Sequence, residues 1–493
     1  MEPSLSRSHK ALTLSTFAFT ICFACWTING VLVTFLVDHG IFDWSVVEIG
    51  WLLGIPILTG SVMRLPLGIL TDKYGGKPMF VILLFFCAVP LALLSQATGF
   101  YSYAILSFFI GMVGTGFAIG IGYTSAWYPR HWQGRALGIF GMGNAGAALT
   151  TFFAPALLNF LSERDPINGW KWLPIIYALI LVVIGVLFLI FAEHKKVETE
   201  PKSINQLLRP IKSMRVWRFG LYYFLVFGCF VAFSQWLIPY YVNVYTTTLV
   251  LGGIFTSFFS LPSGVIRAFG GYLSDKFGAR SVMYWVLSSS LILSALLMIP
   301  QMEVYTTGPG VSAKQPGVVE EVTEEKIEVN GTVYLIEPRA EKPRHGSFLP
   351  ERRSWQEVVV EQNQEVQQRE LLARGVTYIH FEANMWVYTV LVVLIGIVWG
   401  IGKAAIFKHI PEYFPKEVGV VGGMVGLIGG LGGFFCPILF SYLLSVTGIW
   451  TSSWMLMLIV SAISLAWMHR VVVKMSKEEA PNIADQFERK PKR

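Results

Sequence analysis

Apolar runs long enough to cross about 30 Å of hydrocarbon recur near residues 12 to 37, 46 to 70, 78 to 97, 101 to 127, 136 to 160, 173 to 192, 218 to 242, 248 to 273, 281 to 300, 386 to 412, 419 to 445 and 451 to 470. They predict an all-α membrane protein of twelve transmembrane helices. Most of the polar segments between them are short, but two are not. Residues 193 to 217, with Pro201 and Pro210, read as a linker dividing the spans six and six, with room for a short surface helix around Ile204 to Met214. Residues 301 to 385 interrupt the second half alone and hold fourteen of the chain's glutamates. The expected division is therefore a first half over 1 to 192, the linker over 193 to 217, and a second half over 218 to 493 that carries the 301 to 385 insert. Within the insert, Lys326 to Ile336 alternates around Asn330-Gly331 as a type I′ hairpin does. Trp355 to Ala373 is spaced like an amphipathic helix stopped at Gly375. The insert is open to two readings, an accessory decoration or a partner-binding module.

Composition agrees with the pattern. A chain of 493 residues that is 54% hydrophobic and 14% charged, with a mean hydropathy of +0.56, is too apolar for a water-soluble globule. The first run, Leu12 to Val37, is longer than a signal-peptide core and lacks a small-residue cleavage site, so it reads as a retained span. The net charge of +7 reports topology rather than nucleic-acid binding. Lys73 and Lys77, Arg130 and Arg135, Lys195, Lys196, Lys202, Arg209, Lys212 and Arg215, Lys276 and Arg280, and Lys416 all fall in loops after even-numbered spans. Of the short loops on the other side, 38 to 45, 98 to 100, 243 to 247 and 446 to 450 hold no Lys or Arg, and only 161 to 172 departs, with Arg164 and Lys171. Under the positive-inside rule both termini are cytoplasmic and the insert is external. All five cysteines, Cys22, Cys25, Cys87, Cys229 and Cys436, lie in apolar runs and read as packing residues. No metal or cofactor is expected.

The chain also repeats itself. Gly60 to Lys77, GSVMRLPLGILTDKYGGK, returns as Ser263 to Arg280, SGVIRAFGGYLSDKFGAR, 203 residues later. Arg64 falls on Arg267, Gly68 on Gly271, Asp72 on Asp275 and Lys73 on Lys276. Each arginine precedes its Asp by eight residues, about 12 Å of helix. At that depth a charge is a functional-site candidate. No intramembrane carboxylate is available to neutralise the pair, because Glu48 starts span two and Asp72 and Asp275 end their spans. The missing negative charge is then the cargo, and the planar guanidinium fork suits an oxyanion. A second repeated feature is a pair of glycine-rich spans. Span five contains Gly138, Gly141, Gly143, Asn144 and Gly146, and span eleven contains Gly422, Gly423, Gly426, Gly429 and Gly432. Such density lets helix backbones approach closely. Lys403 lies twelve residues before Pro415, as Phe117 lies twelve before Pro129, which puts it on the site-facing side of span ten. It reads either as a vestibule or gating residue or as a cation held by backbone carbonyls.

The G-x-x-x-D-K-x-G-x-K/R pattern, written at Gly68 to Lys77 and Gly271 to Arg280 as a tight loop between spans, resembles the major facilitator superfamily. That resemblance implies two six-helix halves rocking around a site near the bilayer midplane. The arginines together with the two glycine-rich spans resemble the nitrate/nitrite porter family. The resemblance covers the chain apart from 301 to 385. It implies substrate contacts from Arg64, Arg267, Asn144, Tyr223, Phe117 and Phe227, with the two phenylalanines closing over a flat anion. Asn29 stands where a span-one phenylalanine is expected, three residues after Trp26.

The function so implied is secondary transport of nitrate and nitrite across a bacterial plasma membrane, without enzymatic activity. The protein is expected to be a monomer in the lipid bilayer, functionally coupled to a membrane nitrate reductase. No G-x-x-x-x-G-K-[ST] phosphate loop occurs. Nitrate/nitrite antiport is favoured over nitrate/proton symport, because no Asp, Glu or His lies at mid-depth in the spans and exchange should therefore vary little between about pH 6 and 8. Two other readings remain: an anion sensor signalling through the insert, and a carrier for another oxyanion such as a phosphate ester.

Overall fold

A computed structural model of the chain describes residues 5–195, 209–299, 302–323, 325–339, 351–381, 384–414 and 418–479. The chain ends, residues 196–208 of the linker with the first five positions of its expected surface helix, and Lys416 lie outside the described residues. Among them, eleven helices have the length and apolarity of membrane spans, or twelve with a bent pair counted as one. They are α1 (Ser6–Asp38), α2 (Val46–Tyr74), α3 (Gly76–Gln96), α4 (Phe100–Trp127), α5 (Arg135–Arg164), α6 (Gly169–Phe191), α7 (Met214–Tyr245), α8 (Leu249–Val265 with Arg267–Phe277, bent by 43°), α9 (Ala279–Leu297), α10 (Met385–Ile410), α11 (Val420–Thr447) and α12 (Ser452–Met475).

Local chemistry sets several of the boundaries. α2 opens with a capping box: the Glu48 amide donates to Ser45 Oγ at 3.3 Å and the Ser45 amide donates to the Glu48 carboxylate at 2.8 Å. The repeated loop is much shorter than its motif suggests. Helix α2 runs through Asp72 and Lys73 to Tyr74, and the turn to α3 is Gly75 alone, with φ +87°. Gly278 does the same between α8 and α9 with φ +81°. These two glycines are required by their backbone conformation. Gly68 and Gly271 are not, since a Cβ at either would meet no atom within 4 Å. At the end of α8, Asp275 pairs with Lys408 of α10 at 2.6 Å.

Within the bundle, glycine sets how closely helices approach. A Cβ on Gly146 of α5 would overlap the Thr20 carbonyl oxygen of α1, and one on Gly143 would overlap the Phe19 ring. In the second half, Gly432 of α11 faces Gly228 of α7, with a hypothetical Cβ 2.9 Å from the Gly228 Cα, and Gly429 backs the Tyr223 ring. Cys229 and Cys436 meet at this crossing with their sulfurs 3.7 Å apart, as free thiols.

Residues Ile299–Val390 form a separate compact unit. It contains β1 (Met302–Ser312), β2 (Gly317–Val322), β3 (Lys326–Val329), β4 (Thr332–Leu335), β5 (Glu351–Val358), β6 (Glu365–Val366) and β7 (Leu371–Phe381). One antiparallel sheet has the order β1-β7-β5 and the other β4-β3-β2-β6. Its core contains Val319, Ile327, Val329, Val366 and Leu372. The β3–β4 hairpin turns at Asn330 (φ +46°) and Gly331 (φ +74°), the two positive φ values of a type I′ turn. The helix expected over Trp355 to Ala373 does not form. β5 and β7 occupy that stretch, separated by turns with positive φ at Asn363 and Arg369. Two causes favour the strands: Val358-Val359-Val360 is a β-branched run, and β7 pairs along its length with both β1 and β5. Across β5 and β7, Arg374 donates to Glu357 at 3.0 Å and holds that carboxyl below its ordinary range.

Because this unit has its own core and Tyr305 pairs directly with Tyr378, it is expected to be removable. Replacing residues 305 to 380 by a short flexible linker is expected to leave nitrate affinity in detergent within about threefold of the full chain, well under 1 kcal/mol. Loss of binding by a monodisperse deletion protein would make the insert part of the binding machinery.

Candidate functional site

Both repeat-related arginines begin a helical segment. The break at Met63 restarts α2 at Arg64 and places Pro66 in the first turn of the new segment, where a missing N–H removes no hydrogen bond. The break at Ile266 restarts α8 at Arg267. Each guanidinium then crosses to the glycine-rich span of the opposite half. Arg64 Nη1 donates to the Gly426 carbonyl of α11 at 3.0 Å, and Nε donates to the Gly114 carbonyl of α4 at 3.3 Å. Arg267 lies against Gly141 of α5, where an added Cβ would sit 3.1 Å from its Cζ. The glycines therefore do two jobs: some bring helices of one half together, and Gly141, Gly426 and Gly430 make room for the other half's arginine.

Arg64 is 3% exposed and Arg267 7%. Aromatic rings fill the space around them. Phe117 takes both charges, with Arg64 Cζ 5.3 Å and Arg267 Cζ 5.5 Å from its centroid. Arg64 also lies 5.1 Å from Phe227 and 5.3 Å from Trp26, while Arg267 lies 5.5 Å from Phe407. Tyr223 stacks on Phe227 at 4.8 Å and meets Phe407 edge-on at 5.1 Å. Thus Phe117 is within reach of both guanidiniums, and Arg64 is within reach of both Phe117 and Phe227. Trp26 supplies the span-one ring; its indole donates to the Pro56 carbonyl at 2.8 Å. Asn29 holds α1 against its neighbours through Leu52, Ser107 and Tyr103.

The charge balance of this arrangement is incomplete. Among the described residues neither guanidinium is paired with a carboxylate. Sharing Phe117 puts the two Cζ atoms at most about 11 Å apart, so at an effective dielectric of 20 they repel by at least about 1.5 kcal/mol. The hydrogen-bond balance is incomplete as well. Asn144 is fully buried with neither its Oδ1 nor its Nδ2 bonded, Ser61 Oγ is buried without a partner, and the Tyr223 hydroxyl and Arg267 Nη1 have only each other's neighbourhood, short of a well-formed hydrogen bond. Each buried unpaired group is destabilising by about 1 to 3 kcal/mol. An oxyanion would accept from the guanidinium, amide and hydroxyl donors and cancel part of the repulsion.

Of the residues expected from sequence, Arg64, Arg267, Phe117, Tyr223 and Phe227 form one contact cluster, and Asn144 lies in the short turn Met142–Ala145 beside it. Asp72, Lys73, Asp275 and Lys276 stand in the last turn of their helices, while Gly68 and Gly271 lie one turn after the arginines. Lys403 is fully buried but outside the guanidinium pair: its Nζ donates to Ser263 Oγ at 3.0 Å and lies 3.1 Å from the Phe230 centroid. A hydroxyl and a ring hold it, not backbone carbonyls. Sequence reasoning missed Trp26, Ser61 and Phe407. Ser61 carried a usable signal, since it stands one turn before Arg64 where the repeat has Gly264.

The two halves meet at the arginines and to one side of them. There Gly54 packs on the Phe434 carbonyl and Gly253 on Pro155, and Gln235 of α7 donates to Leu53 of α2 at 3.4 Å. At the site, the arginines themselves join the halves.

Known proteins share both the sequence and the fold. The Major Facilitator Superfamily model matches residues 14–310 and 371–492, leaving out most of the insert. A probable nitrate/nitrite antiporter, NarK1, of Thermus thermophilus is 37% identical, covering 98% of this chain and 95% of that protein. A nitrite extrusion protein of Bacillus subtilis (strain 168) is 26% identical over 94% of this chain and 95% of its own length. Among solved structures, a bacterial homologue of the human lysosomal transporter Spinster, inward-facing and occupied, superposes with a TM-score of 0.62 at 13% identity, covering 95% of this chain and 97% of that one. The nucleoside transporter NupG does so at 0.58 and 14%, covering 94% and 99%; both of these show the fold alone. With the superfamily model and a full-length relative in agreement, the chain belongs to the nitrate/nitrite porter family of the major facilitator superfamily.

Proposed function

We propose that the protein exchanges nitrate for nitrite across a bacterial plasma membrane by alternating access, with Arg64, Arg267, Asn144, Tyr223, Phe117 and Phe227 forming the anion site. One observation carries this reading: two buried guanidiniums, one from each half, share a ring and, among the described residues, have no carboxylate partner. An anion between them is the interaction that lets the halves close, and without it the closed state carries uncompensated charge. The names of relatives that are nitrate/nitrite antiporters and nitrite exporters support these two anions as the exchanged pair. The distribution of Lys and Arg among the loops supports cytoplasmic termini and an external insert. The protein is expected to act as a monomer, supplying nitrate to a membrane nitrate reductase and removing its product.

Counterflow tests the reading. Proteoliposomes loaded with nitrite are expected to take up labelled nitrate at least tenfold faster than empty ones, and a proton ionophore is expected to change that rate by less than twofold. Collapse of uptake with the ionophore while nitrite is trapped would replace exchange by proton symport. Saturable nitrate binding without any flux would mark a sensor, and stronger competition by phosphate esters than by nitrite would mark a different oxyanion carrier.

A further inference from the structure

A second group of arginines stands where α7 and α9 begin and the helix of α10 ends. Arg215 and Arg218 belong to the first two turns of α7, Arg280 to the first turn of α9, and His409 and Tyr413 to the last turns of the helix that contains α10. Tyr413 draws the group together: Arg215 Cζ lies 5.2 Å from its ring centroid, and Arg280 Nη2 donates to its hydroxyl at 3.2 Å. Phe219 stacks on the His409 ring at 5.6 Å and lies 5.4 Å from Arg218 Cζ.

Arg218 differs from a cation that only marks the side of the membrane. The positive-inside rule is met by exposed charges such as Arg215, whereas Arg218 is 6% exposed. Among the described residues no carboxylate pairs with it, since Asp275 is taken by Lys408 and Glu412 lies 3.5 Å from His409 instead. The charged side chains that act on it, Arg215 and Arg280, are both positive. Tyr222, one turn further along the same face of α7, is 2% exposed; its hydroxyl has no partner, although the Arg218 charge acts on it. Both helices that begin here add the positive ends of their dipoles. What the group lacks is an acceptor that takes bonds from a guanidinium fork and a phenol together.

We infer that Arg215, Arg218, Arg280 and Tyr222 form a second anion site, one that holds a phosphate group. Three guanidiniums gathered around one end exceed the single charge of nitrate, and a phosphate spreads its oxygens tetrahedrally, so it can accept bidentate bonds from arginines on two helices at once. All of these residues belong to the second half, so the site forms without closure of the two halves, unlike the pair Arg64 and Arg267. It does not depend on which anions are exchanged. Free phosphate and a phospholipid headgroup share the required chemistry. Met214 and Trp217, 68% and 46% exposed on the same stretch of α7, bring an anionic headgroup within reach, since tryptophan at a span end sits at headgroup level.

Thermal unfolding of the full chain in detergent, saturated with nitrate and at constant ionic strength, tests the site. The probes are inorganic phosphate and short-chain phosphatidylglycerol, with potassium chloride and a diacylglycerol of the same chain length as controls. Wild type is expected to gain about 3 °C or more from a phosphate-bearing probe beyond the gain from nitrate. Arg218→Gln should weaken that probe about tenfold or more and Tyr222→Phe about threefold, with nitrate affinity within about twofold of wild type. A lower half-maximal concentration for phosphatidylglycerol than for phosphate assigns the site to a lipid headgroup, and the reverse order assigns it to free phosphate; both support it. Absence of stabilisation by either probe overturns the inference. So does stabilisation that persists undiminished in both variants, or that chloride reproduces by screening. Phosphate that weakens nitrate binding in proportion to its concentration also overturns it, by placing phosphate between Arg64 and Arg267. Monodispersity and nitrate-dependent stabilisation show that each variant folds. Tyr222→Phe removes a single oxygen atom and keeps the test decisive if Arg218→Gln does not fold.

Discussion

Arg64→Lys is expected to lower nitrate counterflow at least 100-fold while the protein remains folded and monodisperse, although the charge is unchanged. Arg64 spans three tasks with one planar group: Nη1 donates to Gly426 of the opposite half, Nε to Gly114, and the guanidinium face lies between the Trp26, Phe117 and Phe227 rings. An ammonium on a shorter donor set cannot bridge both carbonyls and still present a parallel pair of N–H groups to an oxyanion. Each hydrogen bond to a charged group contributes about 1.5 to 3 kcal/mol. Losing two is therefore enough to slow transport by the stated factor or more. Arg267→Lys should behave alike, because its guanidinium lies between Phe117 and Phe407 and against Gly141. Initial rates in proteoliposomes, alongside nitrate-dependent thermal shifts in detergent, make the check. Near wild-type counterflow by either variant would show that charge alone suffices and that bidentate recognition is not the basis of the site.

The twelve spans were legible because the bilayer demands long apolar runs, and the arginine pair was legible because the chain writes its surroundings twice. Depth in an apolar run and equivalence under the repeat located Arg64 and Arg267 without any knowledge of contacts. The partners across the halves were not legible. No sequence rule pairs Arg64 with Gly426 or Arg267 with Gly141, since each contact joins segments from different repeats. Phe407 was hidden for the same reason, being one of the 36 phenylalanines of the chain with nothing local to single it out. The insert failed differently. Its hairpin at Asn330-Gly331 is set by local turn chemistry and could be read directly. The stretch from Trp355 to Ala373 takes its conformation from the pairing of β5 with β7, which in turn lies on the distant β1, and its apolar spacing misled in the absence of those partners. The one-residue turns at Gly75 and Gly278 show a third case: the motif was recognised as a loop, yet the residues that matter for the turn are its second glycines, not Gly68 and Gly271.

Glycines of the two rich spans should divide sharply by what faces them, although sequence treats them alike. Gly146→Val is expected to abolish transport, and Gly432→Val likewise. At Gly146 even a methyl group would overlap the Thr20 carbonyl and approach the Ala24 amide nitrogen to 2.8 Å. Both are backbone atoms of α1, so no rotamer change can relieve the clash and the helix must move. At Gly432 the obstacles are the Gly228 Cα and the Phe224 carbonyl oxygen, each 2.9 Å away, in the α7 turn that carries Phe227 to Arg64. Overpacking typically destabilises by about 1 to 3 kcal/mol. Here the displaced backbone also carries a wall of the site, so the loss should appear in nitrate affinity as well as in melting temperature. Gly138→Ala and Gly423→Ala, in the same two spans, add a methyl group that meets nothing within 4 Å. They are expected to retain more than half of wild-type counterflow, and in a helix interior alanine is favoured over glycine by about 1 kcal/mol. Fluorescence-detected gel filtration and counterflow of the four variants make the comparison. An active Gly146→Val protein would show that α1 and α5 do not meet as described, and inactive alanine variants at 138 and 423 would place contacts on those faces at another stage of the transport cycle.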